Sequence, residues 1–228
     1  MTSATAPGPG RADAGVALAA SITSLRLAAQ VFSRFGSPRV LAAGFVVAAV
    51  VRAVTIVTGS APLTAWDLAA VAVVAILVPF VEWLVHRFVL HIDPLSIGSL
   101  RFDPGVGHRE HHDNPSTINW VLLRAVDAAL FLAINAAVAV VVVGGPLWLT
   151  GRPVLGPAST GVLMAAAALA HYEWSHFLFH TAYRPRTSRY RRLKANHRRH
   201  HWRDDRAWLG ITSNLADRAF RTLSPRPR

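Results

Sequence analysis

The stretch "LAAVAVVAILVPFVEWLVHRFVLH", Leu68–His91, decides the fold. It approaches the length of about 20 apolar residues that a helix needs to cross the hydrocarbon core of a bilayer. It then ends in Glu82, His86, Arg87 and His91. A simple anchor needs no such ending, so two questions follow: how many such blocks there are, and where the other histidines lie.

Three further blocks come near bilayer-spanning length, Val40–Val57, Val121–Leu149 and Val162–Phe179. The chain of 228 residues is 52% hydrophobic and only 16% charged, too apolar for an ordinary soluble domain. The expected fold class is all-α, a polytopic membrane helix bundle of about four transmembrane helices with a cytosol-facing, histidine-rich cap. No segment reads as a cleaved signal peptide. Residues 1–39 read as an N-terminal tail followed by a helix, and residues 40–223 as one membrane domain. Residues 224–228 form a C-terminal tail. Met1–Gly15 is read as disordered. Val16–Phe35 repeats apolar residues at helical spacing with Arg26 and Arg34 opposite, which suits an interfacial helix or one packed on the bundle. Pro79 is expected to kink the second span.

The net charge of +12 is unevenly placed. Of the 24 Lys and Arg residues, 14 lie in Thr181–Arg228, whereas the loop Gly59–Asp67 has none. By the positive-inside rule both termini and the His91–Asn119 loop are cytoplasmic. Basic residues beside a membrane suit anionic lipid headgroups rather than nucleic acid. Arginine outnumbers lysine 23 to 1, which suggests GC-rich coding and hence a bacterial cell membrane.

All eleven histidines fall in four clusters: His86 and His91; His108, His111 and His112; His171, His176 and His180; His197, His200 and His201. The pattern occurs twice. A hairpin ends in E-W…H…H, and seventeen positions later an H-x-x-H-H begins, His91 to His108 and His180 to His197. The chain looks like two similar halves that deliver histidines to one membrane face. With no cysteine, any metal must be held by nitrogen and oxygen.

Positions i, i+3 and i+4 share a helix face, so each H-x-x-H-H presents three imidazoles together. His176 and His180 form an i,i+4 pair. His91 is five residues beyond His86, about 140° round a helix of roughly 3.6 residues per turn. It can join the site only if the helix ends or bulges near Phe88–Leu90. His171, five residues before His176, is expected to point elsewhere and act as a hydrogen-bonding partner. The other ten imidazoles could supply two metal ions with about five ligands each. Glu82 and Glu173 stand one turn before His86 and His176, either as helix-end charges or as groups orienting a ligand histidine. Arg198 and Arg199 should splay towards headgroups. Arg52 and Asp127, inside apolar blocks, either mark function or pair.

The set HRFVLH, HREHH, HFLFH and HRRHH, with "WLGITSNLADRAFRTL" at Trp208–Leu223, resembles the fatty acid hydroxylase/sterol desaturase superfamily over about Leu68–Leu223. The resemblance implies metal ligands at His86, His91, His108, His111, His112, His176, His180, His197, His200 and His201; His171 lies outside its boxes, and the residue spacing itself offers Glu82, Glu173 and His171 as supporting groups. It further implies two iron ions, zinc being an alternative occupant, and O2 as co-substrate. The implied activity is hydroxylation or desaturation of an unactivated C–H in a fatty acyl chain, sterol or carotenoid. No haem-binding domain is read in the chain, so a separate ferredoxin, cytochrome or reductase is the implied electron donor. Two other classes compete: a histidine-rich metal transporter or sensor, and a catalytically silent scaffold. A transporter would distribute ligands along a membrane path, whereas these cluster at one end.

Overall fold

A computed structural model of the protein describes residues 9–98 and 100–224. The elements run α1 (Pro9–Ser21), α2 (Leu25–Phe32), α3 (Gly36–Val57) and α4 (Ala65–Val85), which passes into a π-turn at His86–Leu90. A two-stranded antiparallel hairpin follows, β1 (Leu95–Ile97) and β2 (Leu100–Phe102), with Ser96 opposite Arg101. Then come α5 (Val106–Asp113), α6 (Ile118–Val121), α7 (Ala125–Ala139) with a second π-turn at Val140–Gly144, and α8 (Gly145–Leu149). The chain closes with α9 (Leu155–Phe179), α10 (Ser188–Trp202) and α11 (Leu215–Ala219). The fold is helical as expected, apart from that hairpin in the loop after the second span.

Among the described residues, three helical stretches are long and apolar enough to cross a membrane: Gly36–Val57, Ala65–Leu90 and Ile118–Leu149. Only 11%, 22% and 17% of their most apolar windows is buried inside the molecule. Their outward side chains therefore face lipid, where every backbone polar group must be satisfied within the helix. The fourth expected span is present as α9, but it is not among those three by length and composition. The reason is its position. The other three helices pack against α9, which at 25 residues is about 38 Å long. It needs small residues where they approach, not lipid-facing bulk: Gly156, Ala158, Gly161, Ala165 and Ala166 are all buried. A Cβ added at Gly161 would sit 3.0 Å from Val143 Cγ2.

At the end away from the histidines, the intramembrane charges are paired. Arg52 Nη2 lies 2.7 Å from Asp67 Oδ1, Thr160 donates to the same oxygen at 2.6 Å, and Arg52 Nη1 donates to the Ala61 carbonyl at 2.7 Å. Asp67 also closes a capping box with Thr64 at the start of α4. This network ties α3, α4 and α9 together and leaves no unpaired charge in Arg52. At the histidine end, Asp127 pairs with Arg124 at 2.6 and 2.8 Å.

The expected tail is partly ordered: Pro9–Gly15 belong to α1, and residues 1–8 lie outside the described residues. The predicted continuous helix over Val16–Phe35 is broken around Thr23. Its two pieces pack on the bundle rather than lying free, because Ala19, Ile22, Ala28 and Val31 share a core with Ile118, Leu122, Phe177 and Leu178. The connection from the third span to α9 is short, since the helix runs on to Leu149 and α9 begins at Leu155.

Candidate metal centre

The π-turn answers the phase problem of the first cluster. Its i→i+5 hydrogen bonding takes up one extra residue and places i+5, not i+4, above i. His86 and His91 consequently stack, with ring centroids 5.1 Å apart. On α9 the ordinary i,i+4 spacing brings His176 and His180 to 5.0 Å. Helices α5 and α10 each carry three more rings, lying at the same end of the bundle as the close of α4 and α9.

These ten imidazoles fall into two groups of five. His86, His91, His108, His112 and His200 form one; His111, His176, His180, His197 and His201 form the other. In each, one nitrogen per ring lies within 4.8 Å of all the others. The division does not follow the two halves of the sequence. In α5, His108 and His112 (i, i+4) go to the first group and His111 to the second. In α10, His197 and His201 go to the second group and His200 to the first. The groups adjoin, with the His112 and His201 rings 4.2 Å apart.

Ring orientation is set from outside. His86 Nδ1 meets the Leu209 carbonyl at 2.6 Å, His200 Nδ1 that of Ala207 at 2.9 Å, and His180 Nδ1 that of Pro115 at 2.8 Å. The Val121 carbonyl bonds His176 in the same way. A carbonyl only accepts, so each Nδ1 carries the proton and each Nε2 offers a lone pair inward. These inward atoms crowd together. His108 Nε2 lies 3.1 Å from His86 Nε2, 3.2 Å from His91 Nε2 and 3.1 Å from His112 Nε2, and His112 Nε2 lies 3.1 Å from His200 Nε2. In the second group His197 Nε2 is 2.7 Å from His180 Nε2 and 3.0 Å from His201 Nε2. The Nε2 atoms of His111 and His176 are buried with no partner.

Lone pairs turned towards one another at such distances repel unless a cation lies between them. Two nitrogens about 2.1 Å from one ion and at right angles are about 3.0 Å apart, so the donor set fits a metal ion in each group. Burial, aided by the His112 imidazole and Arg87, lowers His91 to about 3, and burial, against a smaller opposing effect of Asp205 and Asp113, lowers His112 to about 4. Burial also lowers His180 to about 3, with a smaller opposing effect of its bond to Pro115. All three are neutral near pH 7, the state that binds metal.

The supporting residues expected from sequence are placed differently. Glu82 and Glu173 are buried, but neither orients a histidine directly. Glu173 Oε1 accepts from Ser37 Oγ at 2.7 Å and Leu123 N at 2.8 Å, joining the starts of α3 and α7 to α9. Glu82 accepts from the backbone of Ile211 and Thr212, and from Thr212 Oγ1 at 2.6 Å. The direct partners are main-chain carbonyls, which leave no trace in residue identity. His171 lies outside both groups, its Nε2 2.6 Å from the Tyr190 hydroxyl, so it links α9 to α10. Arg199 is exposed, donates to Asn196 Oδ1 at 2.8 Å and lies over the Trp208 ring.

Both groups border a cavity of about 710 Å³, walled by His108, His111, His176, Glu110 and Asn119. A narrow apolar groove of about 110 Å³ adjoins it between α4, α7 and α9, past Val78, Asn135 and Val142. Leu90, Leu123, Phe131 and Tyr172 line both and mark where the two meet.

Comparison with known proteins agrees with this architecture. A fatty acid 2-hydroxylase of Macaca fascicularis is 29% identical over 151 residues, covering 64% of this chain and 37% of the relative. The Homo sapiens fatty acid 2-hydroxylase is 28% identical over the same shares. A dihydroceramide fatty acyl 2-hydroxylase of Arabidopsis thaliana is 29% identical over 146 residues, covering 62% of this chain and 55% of that protein. The chain thus spans little more than a third of the length of the mammalian relatives. The solved structure of full-length scs7p, in which only the hydroxylase domain is visible, superposes with a TM-score of 0.50 over 85% of this chain and 70% of that one, at 18% identity. The pattern of one family, fatty acid hydroxylase, matches residues 71–222, two thirds of the sequence, and the chain belongs to that family.

Proposed function

We propose that the protein is a membrane-bound lipid hydroxylase that inserts one oxygen atom from O2 into an unactivated C–H bond of a fatty acyl chain. The reading rests above all on one observation: two largely buried five-imidazole groups border a cavity that adjoins an apolar intramembrane groove. His86, His91, His108, His112 and His200 would hold one ion, and His111, His176, His180, His197 and His201 the other. Iron, when bound there, would supply the redox chemistry by which O2 is activated. Overall, the C–H bond and O2, with two electrons and two protons, give an alcohol and water.

The chain's own part is positioning. The groove takes the apolar chain from the side of the bilayer, and the junction at Leu90, Leu123, Phe131 and Tyr172 separates it from the polar head. The carbon near that head is thereby held beside the histidines, in keeping with the 2-hydroxylase names of the relatives. Leu90, Leu123 and Phe131 keep bulk water from the reacting carbon. The electrons come from a separate donor. Arg184, Arg191 and Arg198, around a second cavity reaching His180 and His201, offer an acidic donor a basic landing face. This end of the bundle faces the cytoplasm, by the charge rule already given.

The combined variant His200→Ala/His201→Ala removes one ring from each group. Expressed in a host lacking the protein, the wild type should carry two irons per chain and yield a lipid with one added oxygen. The variant should lose both. Stoichiometric metal with no O2-dependent lipid change would instead favour a metal-handling protein.

A further inference from the structure

Two rings of the first group take their outer hydrogen bonds from a single loop, Ala207–Thr212. The loop is itself clamped. Leu209 N and Gly210 N donate to Asp217 Oδ1 and Oδ2 at 3.0 and 2.9 Å, and Asp217 is fully buried. Thr222 Oγ1 donates to Asp217 Oδ1 at 2.6 Å and accepts from Trp83 Nε1 at 3.0 Å. The Thr222 main chain closes the arrangement: its N–H donates to the Asp217 carbonyl at 2.8 Å, and its carbonyl accepts from Trp208 N at 2.7 Å. Trp208 is held at φ 56°, a conformation that bulky residues rarely adopt. Glu82 grips the other end of the loop, at Ile211 and Thr212.

The peptide bond converts this clamp into ring orientation. In a trans peptide the C=O of one residue and the N–H of the next share a rigid plane and point in opposite directions. Gly210 N–H, held by Asp217, therefore aims the Leu209 carbonyl the other way, at His86. Trp208 N–H, held by Thr222, aims the Ala207 carbonyl at His200. We infer that Asp217 is a positioning residue that, through these two peptide planes, fixes the tautomer and orientation of His86 and His200, and so governs metal affinity in the first group alone. The second group takes its carbonyls from Pro115 and Val121, outside the loop. This rests on the reading that each group holds one ion.

The test is a chelator-competition titration of the full-length, detergent-solubilised protein, with zinc as the probe ion. Wild type should bind in two steps. Asp217→Asn, which keeps the shape but turns an N–H towards the N–H groups it should accept from, is expected to weaken one step about 10–100-fold and leave the other unmoved. Thr222→Val should shift the same step in the same direction, and Thr222→Ser, which keeps the hydroxyl, should restore it. These two decide the matter if Asp217→Asn fails to fold. Equal weakening of both steps, or Thr222→Val binding like wild type, overturns the inference. A wild type that takes up fewer than two zinc ions removes the two-ion reading, and this inference with it.

Discussion

Each ligand-type imidazole in the cap has to give away one ring proton and keep one lone pair, and burial settles the balance. His91, His112 and His180, at about 3, 4 and 3, sit below the ordinary value of 6.5. Burial likewise holds His108, His111, His197 and His200 well below it. In the unfolded chain these rings take up protons near pH 6.5, which folded His91, His112 and His180 refuse until about pH 4 or lower. Between those limits the unfolded state binds more protons, so stability rises with pH and is lost on acidification. The melting temperature of metal-free protein should fall steadily from pH 7 to pH 4.5; a flat profile would mean the cap is hydrated rather than closed. The clustering of these histidines was legible at this scale from spacing, apart from His91, whose phase depended on the helix near Phe88–Leu90. Their carbonyl partners were not, since Pro115, Val121, Ala207 and Leu209 offer groups that every residue owns.

At the scale of the element, two helices depart from regularity for identifiable reasons. The second span needs one residue more than an α-helix allows between His86 and His91, and the π-turn supplies it. The sequence poses this requirement through its phase, and only the folded backbone answers it. Deleting Val89 should restore the α register and put the second histidine four residues after the first, on the same face. Metal content should then survive, as measured on purified protein. Loss of one ion would show that the π-turn does more than correct the phase, for example by setting ring tilt. The central helix α9 is the other case. It is less apolar than its neighbours because they, not lipid, cover it, and a hydropathy reading of one chain cannot distinguish those coverings.

For the whole molecule, the decisive arrangement is the exchange of His111 and His200. Each group draws on both halves of the chain, so neither half can complete a site alone. The ions would act as cross-links between α5, α10 and the ends of α4 and α9, whereas the membrane helices are held independently by packing and by the Arg52–Asp67–Thr160 network. Chelation should therefore speed amide hydrogen exchange in Val106–Asp113 and Ser188–Trp202 while leaving Gly36–Val57 protected. Uniform loss of protection would tie the bundle itself to the metal. The sequence by itself determined the membrane-spanning blocks, the single histidine-bearing end and the ten imidazoles, because hydropathy and helical spacing are properties of neighbouring residues. Only the tertiary structure decided which imidazoles share an ion, which carbonyls hold them and where the groove meets the cap. Those depend on how distant helices approach and rotate about one another, and periodicity along one chain carries no record of that.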